Sequence, residues 1–200
     1  RGPQGTLYGA SSLGGVLKFA PNPPQTDSNE ARVRFSAENV ADGEMGYSGT
    51  GMVNLALADS LAIRATGYYR DQGGFIDSIG TAGSDRAEDI NGSKSYGGRF
   101  AALWAPGEAF SARVSAVIQN IRNEAGGDVE SDGHTLDTLY GRLSQSQFVP
   151  EFTDIDYRVS NATLDFHLGF ATLTSASSYN ELEQPFRSDL TTQFGPLVIP

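Results

Sequence analysis

The sequence predicts an all-β chain whose strands belong to an antiparallel transmembrane β-barrel. Three observations carry that prediction. Apolar and polar residues alternate with period two in one segment after another. The connections alternate between tight turns and long, polar, glycine-bearing loops, the layout of a barrel that is threaded through a membrane from one end. The runs between them exceed the roughly 9–11 residues that a tilted strand needs to cross the hydrocarbon.

The elements follow in order. Residues 1–25 read as a turn, a short irregular segment, a brief strand and a linker containing Pro21-Asn22-Pro23-Pro24, whose prolines end pairing before the next element. Ala31, Val33, Phe35 and Ala37 then alternate with Arg32, Arg34, Ser36 and Glu38. Val53, Leu55 and Leu57 mark a weaker strand that turns at Asp59-Ser60. Over 61–70, Leu61, Ile63, Ala65, Gly67 and Tyr69 alternate with a face bearing Arg64, Thr66 and Arg70. Tyr96, Gly98, Phe100, Ala102 and Trp104 oppose Ser95 and Arg99, and Pro106-Gly107-Glu108 closes that strand. Phe110, Ala112, Val114, Ala116 and Ile118 oppose Ser111, Arg113, Ser115 and Gln119. Ala162, Leu164, Phe166 and Leu168 oppose Asn161, Thr163, Asp165 and His167. Tyr157 and Val159 sit in the opposite phase, which predicts a bulge or face change near Ser160. Leu168-Gly169-Phe170 turns into a last strand through Ala171, Leu173 and Tyr179. The count is about seven strands after residue 30, with long connections near 77–92 and 123–154 and no amphipathic helix.

Composition removes several alternatives. The chain is 38% hydrophobic with 24 glycines, favouring strands and turns over helices, and the absence of any run of eighteen apolar residues excludes helical membrane spans. With 14 Lys+Arg against 24 Asp+Glu the net charge is -10, so no basic face is available to displace counterions from nucleic acid. Lacking cysteine, the chain has no disulfide, no thiolate metal site and no cysteine nucleophile. The start at Arg1 and the apolar finish through Phe194-Gly195-Pro196-Leu197-Val198-Ile199-Pro200 make both ends read as cut.

Candidate functional residues fall into groups. Arg32, Arg34, Arg64, Arg99 and Arg113, with Glu38 and Asp165, recur on the polar face. Periodicity alone leaves two readings for them: solvated charges on a sandwich, or the lining of a wet lumen where arginine pairs with a plug. Asp165 and His167 lie two apart, a spacing that could seat a metal or orient a general base, yet no third ligand or serine nucleophile motif accompanies them. Tyr69, Arg70, Asp71, Phe75 and Arg86 form a candidate substrate rim, with loop solubility as the plainer reading. Asp128-Val129-Glu130-Ser131-Asp132-Gly133 starts like a calcium loop, but its twelfth position is Leu139, so no EF-hand and no metal site is expected. Trp104, Phe110 and Phe170 sit beside the tight turns, where an interfacial aromatic girdle belongs.

The first residues, Arg1-Gly2-Pro3-Gln4-Gly5-Thr6-Leu7-Tyr8-Gly9 followed by Gly14-Gly15-Val16-Leu17, carry a motif. It resembles the end of the plug domain of TonB-dependent outer-membrane receptors, an Arg-Gly-Pro-x-Gly-x-x-Tyr-Gly run before a Gly-Gly strand. Ala10-Ser11 after the Tyr-Gly is a mild departure from the usual family residues. The resemblance implies that residues 1–25 end a plug, with Arg1, Gly2, Pro3, Gly5, Tyr8, Gly9, Gly14 and Gly15 as its motif. It further implies that 26–200 begin a barrel of about 22 strands, the rest of which lies beyond the chain. On this resemblance the protein is not an enzyme and holds no cofactor. It is expected in the outer membrane of a diderm bacterium, taking up a scarce nutrient. The implied partners are outer-membrane lipid, the TonB energy-transducing complex through the region before residue 1, and a small-molecule ligand such as a ferric siderophore. A passive barrel, such as a porin or adhesin, and a secreted β-rich hydrolase using Asp165 and His167 are the rival expectations.

Overall fold

Alternation of apolar and polar side chains makes each of these segments extend and pair with the next one along the chain. A computed structural model of the protein describes residues 20–81 and 84–191; the motif residues Arg1, Gly2, Pro3, Gly5, Tyr8, Gly9, Gly14 and Gly15 lie outside them. The long strands are β1 (Glu30–Asn39), β2 (Met45–Ala58), β3 (Leu61–Gln72), β5 (Ser93–Gly107), β6 (Phe110–Asn123), β8 (Phe152–His167) and β9 (Thr172–Glu183). Three two-residue strands accompany them, β4 (Asp77–Ser78), β7 (Ser144–Gln145) and β10 (Phe186–Arg187). The architecture is all-β: an antiparallel, eight-stranded sheet ordered β1-β2-β3-β5-β6-β8, with β9 and β10 both on β8. The sheet is open, with β1 and β9 at its edges.

β10 continues β9. Asp156 pairs with Glu183 and Thr153 with Phe186, which is one unbroken register interrupted at Gln184-Pro185. Pro185 has no N–H to give, so the ladder lapses there, although its carbonyl still accepts the Asp154 N–H at 2.9 Å.

The connections segregate. The tight turns at 59–60, 108–109 and 168–171 lie at one end of the sheet, and 40–44, 73–92 and 124–151 lie at the other. Gly169, at φ +83, is the first central residue of the last tight turn, where only glycine adopts that conformation freely. The Leu168 N–H donates to the Ala171 carbonyl at 2.8 Å across it.

One expectation is corrected. There is no bulge near Ser160: β8 keeps a continuous register with β6 from Asn123–Thr153 to Phe110–Phe166, and with β9 throughout. What changes is composition. The face that carries Phe166, Leu164 and Ala162 goes on to Arg158 and Asp156, and the opposite face gains Val159, Tyr157 and Ile155. The register shifts that do occur, at Ala56/Ala58 and Trp104/Gly107, flank tight turns.

Among the described residues neither face of the sheet is covered by a packed apolar core. Among the described residues the buried apolar side chains are Ala62, Ile76, Ala101 and Ala125, together with Pro24. Large apolar side chains lie open on the face shared by the odd residues of β1, β3 and β9 and the even residues of β5, β6 and β8. Phe35 is 82% exposed, Val33 69% and Ile118 60%. Exposed apolar area this continuous marks a surface that meets another phase or partner.

Candidate functional site

The two faces of the sheet are chemically distinct, and register assigns every residue to one of them. On the apolar face each strand carries an uncharged run: Ala31 to Ala37 on β1, Leu61 to Tyr69 on β3, Tyr96 to Trp104 on β5, Phe110 to Ile118 on β6, Phe166 to Ser160 on β8 and Leu173 to Tyr179 on β9. Within the strands, the first charges beyond these runs are Asp71, Lys94, Arg122, Arg158 and Glu181, all toward the long-loop end. They pair across strands, Lys94–Asp71 at 3.6 Å, Arg122–Asp154 at 3.8 Å and Arg158–Glu181 at 3.9 Å. Such half-exposed pairs contribute at most about 1 kcal/mol each. At the tight-turn end Trp104 meets Phe110 edge-on at 5.6 Å, and Phe110 meets Phe166 at 5.0 Å. Phe170 projects from the turn, 91% exposed.

Arg32, Arg34, Arg64, Arg99 and Arg113 all stand on the opposite, polar face: Arg32 shares a register row with Met52, Thr66 and Arg99, and Arg64 pairs with Asn54 and Ala101. Glu30 bonds to Arg32 and approaches the buried Arg64 at 4.0 Å. Among the described residues no carboxylate lies within 4.0 Å of Arg34, Arg99 or Arg113. Arg32, Arg34, Arg64, Arg99, Tyr68 and Gln119 line a concavity of about 890 Å³.

The linker runs over this same face. Arg99 Nη1 donates to the Asn22 carbonyl at 3.2 Å, and Asn54 bonds Gln25 and Ser28. Thus the segment that follows the Arg-Gly-Pro motif lies among the arginines, on the side away from the exposed apolar residues.

Asp165 and His167 share the polar face near the tight turns but are not joined to each other. Asp165 accepts the Thr174 hydroxyl at 2.6 Å, and His167 Nδ1 lies 3.0 Å from the Thr172 hydroxyl. Both partners belong to β9.

The candidate rim is divided by the sheet. Tyr69 and Asp71 stand on the apolar-face side, where the Tyr69 hydroxyl donates to Asp71 at 3.1 Å. Arg70 stands on the polar side and meets Glu38 at 3.6 Å. Phe75 is in the 73–92 loop, held by its N–H to Asn91 Oδ1 at 2.7 Å, and Arg86 is exposed further along it.

Sequence reading missed how the long loops join. β4 and β7 pair in parallel and form a small cap in which Ser78 and the neighbouring Ile76 are buried. Asn91 Oδ1 takes both the Phe75 and Ile76 N–H groups, and Glu130 takes the Ser146 N–H and hydroxyl. Arg142 reaches Asp42 in the 40–44 turn at 2.6 Å. The acidic stretch is therefore engaged in its own architecture: Asp132 accepts the His134 and Thr135 N–H groups at 2.8 and 2.9 Å. Among the described residues no three metal-capable side chains converge.

Hydrogen-bond donation holds two carboxyls, Asp132 in the 124–151 loop and Asp189 after β10, below the usual range. For Asp132 the Thr135 N–H is the main cause and the His134 N–H the next. For Asp189 burial pushes upward, but hydrogen bonds from Thr191, Phe148 and Val149 outweigh it and the net direction is down. A lowered folded pKa gives stability that is present above the ordinary aspartate value, about 3.9, and is lost as pH falls through the lower folded value. Below about pH 4, then, the tie between 148–149 and Asp189 should loosen. Amide NMR checks this: the Phe148 resonance should titrate with a midpoint below the ordinary aspartate value, and a midpoint at or above it would contradict the assignment.

No family model matches the chain, and no solved structure matches it.

Proposed function

We propose that the chain is the end of the plug and the first seven wall strands of a TonB-dependent outer-membrane receptor, which binds a scarce nutrient outside and passes it inward. A ferric siderophore or other iron complex is the ligand class that this reading favours. The observation that carries it is the sidedness of the sheet. The linker behind the Arg-Gly-Pro motif lies on the arginine-bearing face, as a plug inside a lumen requires, and the other face offers lipid an uncharged belt.

The belt has a suitable height. From Tyr96 to Trp104 the strand rises about 27 Å, which a tilt of about 40° projects to about 21 Å. That is close to the apolar band, roughly 25 Å tall, of outer-membrane barrels. Tyr69 and Tyr96, register partners, bound it on the loop side, and Trp104 and Phe110 on the turn side. An open eight-stranded sheet with two free edges needs further strands to close such a wall.

The test is uptake of labelled ferric siderophores by a diderm host expressing the complete gene, with and without an intact TonB system. Iron uptake that vanishes without TonB is the expected result. TonB-dependent uptake of another nutrient alone would keep the mechanism and change the ligand. Uptake indifferent to TonB would favour a passive barrel and sink the receptor reading.

A further inference from the structure

Asn54 is fully buried, although it stands on the polar face of β2. What covers it is the linker. Its Oδ1 accepts the Gln25 N–H at 3.0 Å, and its Nδ2 donates to the Gln25 carbonyl at 2.9 Å and to the Ser28 carbonyl at 2.7 Å. With Gln25 the carboxamide makes the double N–H···O exchange that a neighbouring strand residue would make, and its second amide hydrogen serves Ser28. Only an amide of this length supplies two donors and an acceptor there. Aspartate would lose both donors, and leucine would leave two linker carbonyls and one N–H without the partner that Asn54 gives them, at the part-buried edge of the sheet.

Two other bonds flank the clamp. Asn29 Oδ1 accepts the Ala56 N–H at 2.8 Å, and Arg99 holds the Asn22 carbonyl. Between them Pro23 and the buried Pro24 fix their own φ angles and restrict the residues before them. The linker is thus tied at both ends and stiff in the middle.

We infer that Asn54 anchors the linker: on the receptor reading, residues 22–29 stay on the wall as a fixed part of it during uptake. Asn54 is a positioning residue in this role, since it acts through the linker and not on any ligand. The inference rests on the receptor reading only where its test reads uptake.

Two measurements on the complete protein test it. In Asn54→Leu the Gln25 amide should exchange its hydrogen at least tenfold faster than in the unaltered protein. Ligand affinity should hold while the maximal uptake rate falls several-fold, a split that general destabilisation would not produce. In Asn29→Cys/Ala56→Cys, a short thiol crosslinker then ties linker to wall, and uptake should persist within about twofold. Unchanged Gln25 exchange, or uptake stopped by the crosslink, would overturn the anchor. Should the unaltered protein itself lack TonB-dependent uptake, the receptor reading fails and the exchange result alone decides on the anchor.

Discussion

Arginine at Ala162 is expected to weaken folding into a bilayer by about 2–4 kcal/mol, whereas arginine at Asn161, the adjacent residue of the same strand, should change it by less than about 1 kcal/mol. Ala162 pairs with Val114 and Ser177 at the centre of the uncharged belt, and Asn161 pairs with Ser115 and Ser178 on the polar face. On the proposed membrane placement the first guanidinium must enter hydrocarbon, while the second stays in a wet interior. Length, propensity and pairing strand are shared, so the contrast isolates the face. Urea titration of both variants folding into phospholipid vesicles measures it, and equal losses would mean that the apolar face does not meet lipid.

Gly74→Ala should unseat the cap at a cost of about 1–3 kcal/mol, the usual penalty for forcing atoms into filled space. A Cβ on Gly74 would run into the Asp89 carbonyl oxygen. Asp89 has no room to yield, because it sits at φ +54 and its N–H is held by Asp77 Oδ1 at 3.1 Å. The Gly74 carbonyl in turn accepts the Glu44 N–H at 3.0 Å and lies against Gly43, so the strain spreads to the 40–44 turn. Limited proteolysis should show faster cleavage in 73–92 with the sheet intact. Gly133→Ala is the control: a Cβ there meets nothing within 4 Å, and its cleavage pattern should match the parent. Equal patterns for both variants would refute the packing argument.

The long strands were legible because their information is local. In β1 and β6 every second residue belongs to one phase, so reading alternate letters identifies both faces. β2 was harder, since Gly46, Gly49 and Gly51 blank the pattern over its first half and only Val53, Leu55 and Leu57 stand out. In β8 the apolar letters change phase while the backbone does not, because the strand leaves the belt at Arg158 and both faces change company. The rim grouped residues by proximity in sequence, although period two itself puts Tyr69 and Asp71 opposite Arg70. Two-residue β4 and β7 carry no readable period. Asn54 is one polar letter between Val53 and Leu55, and its partners are 26 and 29 residues away.

That division between local and distant pairing also sets a hierarchy of assembly. Every long strand pairs with the next long strand in the chain, so the sheet is a series of consecutive hairpins with local pairing. The cap joins points far apart: the Thr81 hydroxyl donates to the Gln147 carbonyl across 66 residues. Bringing such distant points together in an open chain carries a length-dependent entropy of about 4 kcal/mol. With β3, β5, β6 and β8 already side by side, both loops have pinned ends and that entropy has largely been spent in forming the hairpins. The cap therefore closes at least cost once the sheet is in place, and loops of this kind can change in sequence without putting at risk the strands that carry them.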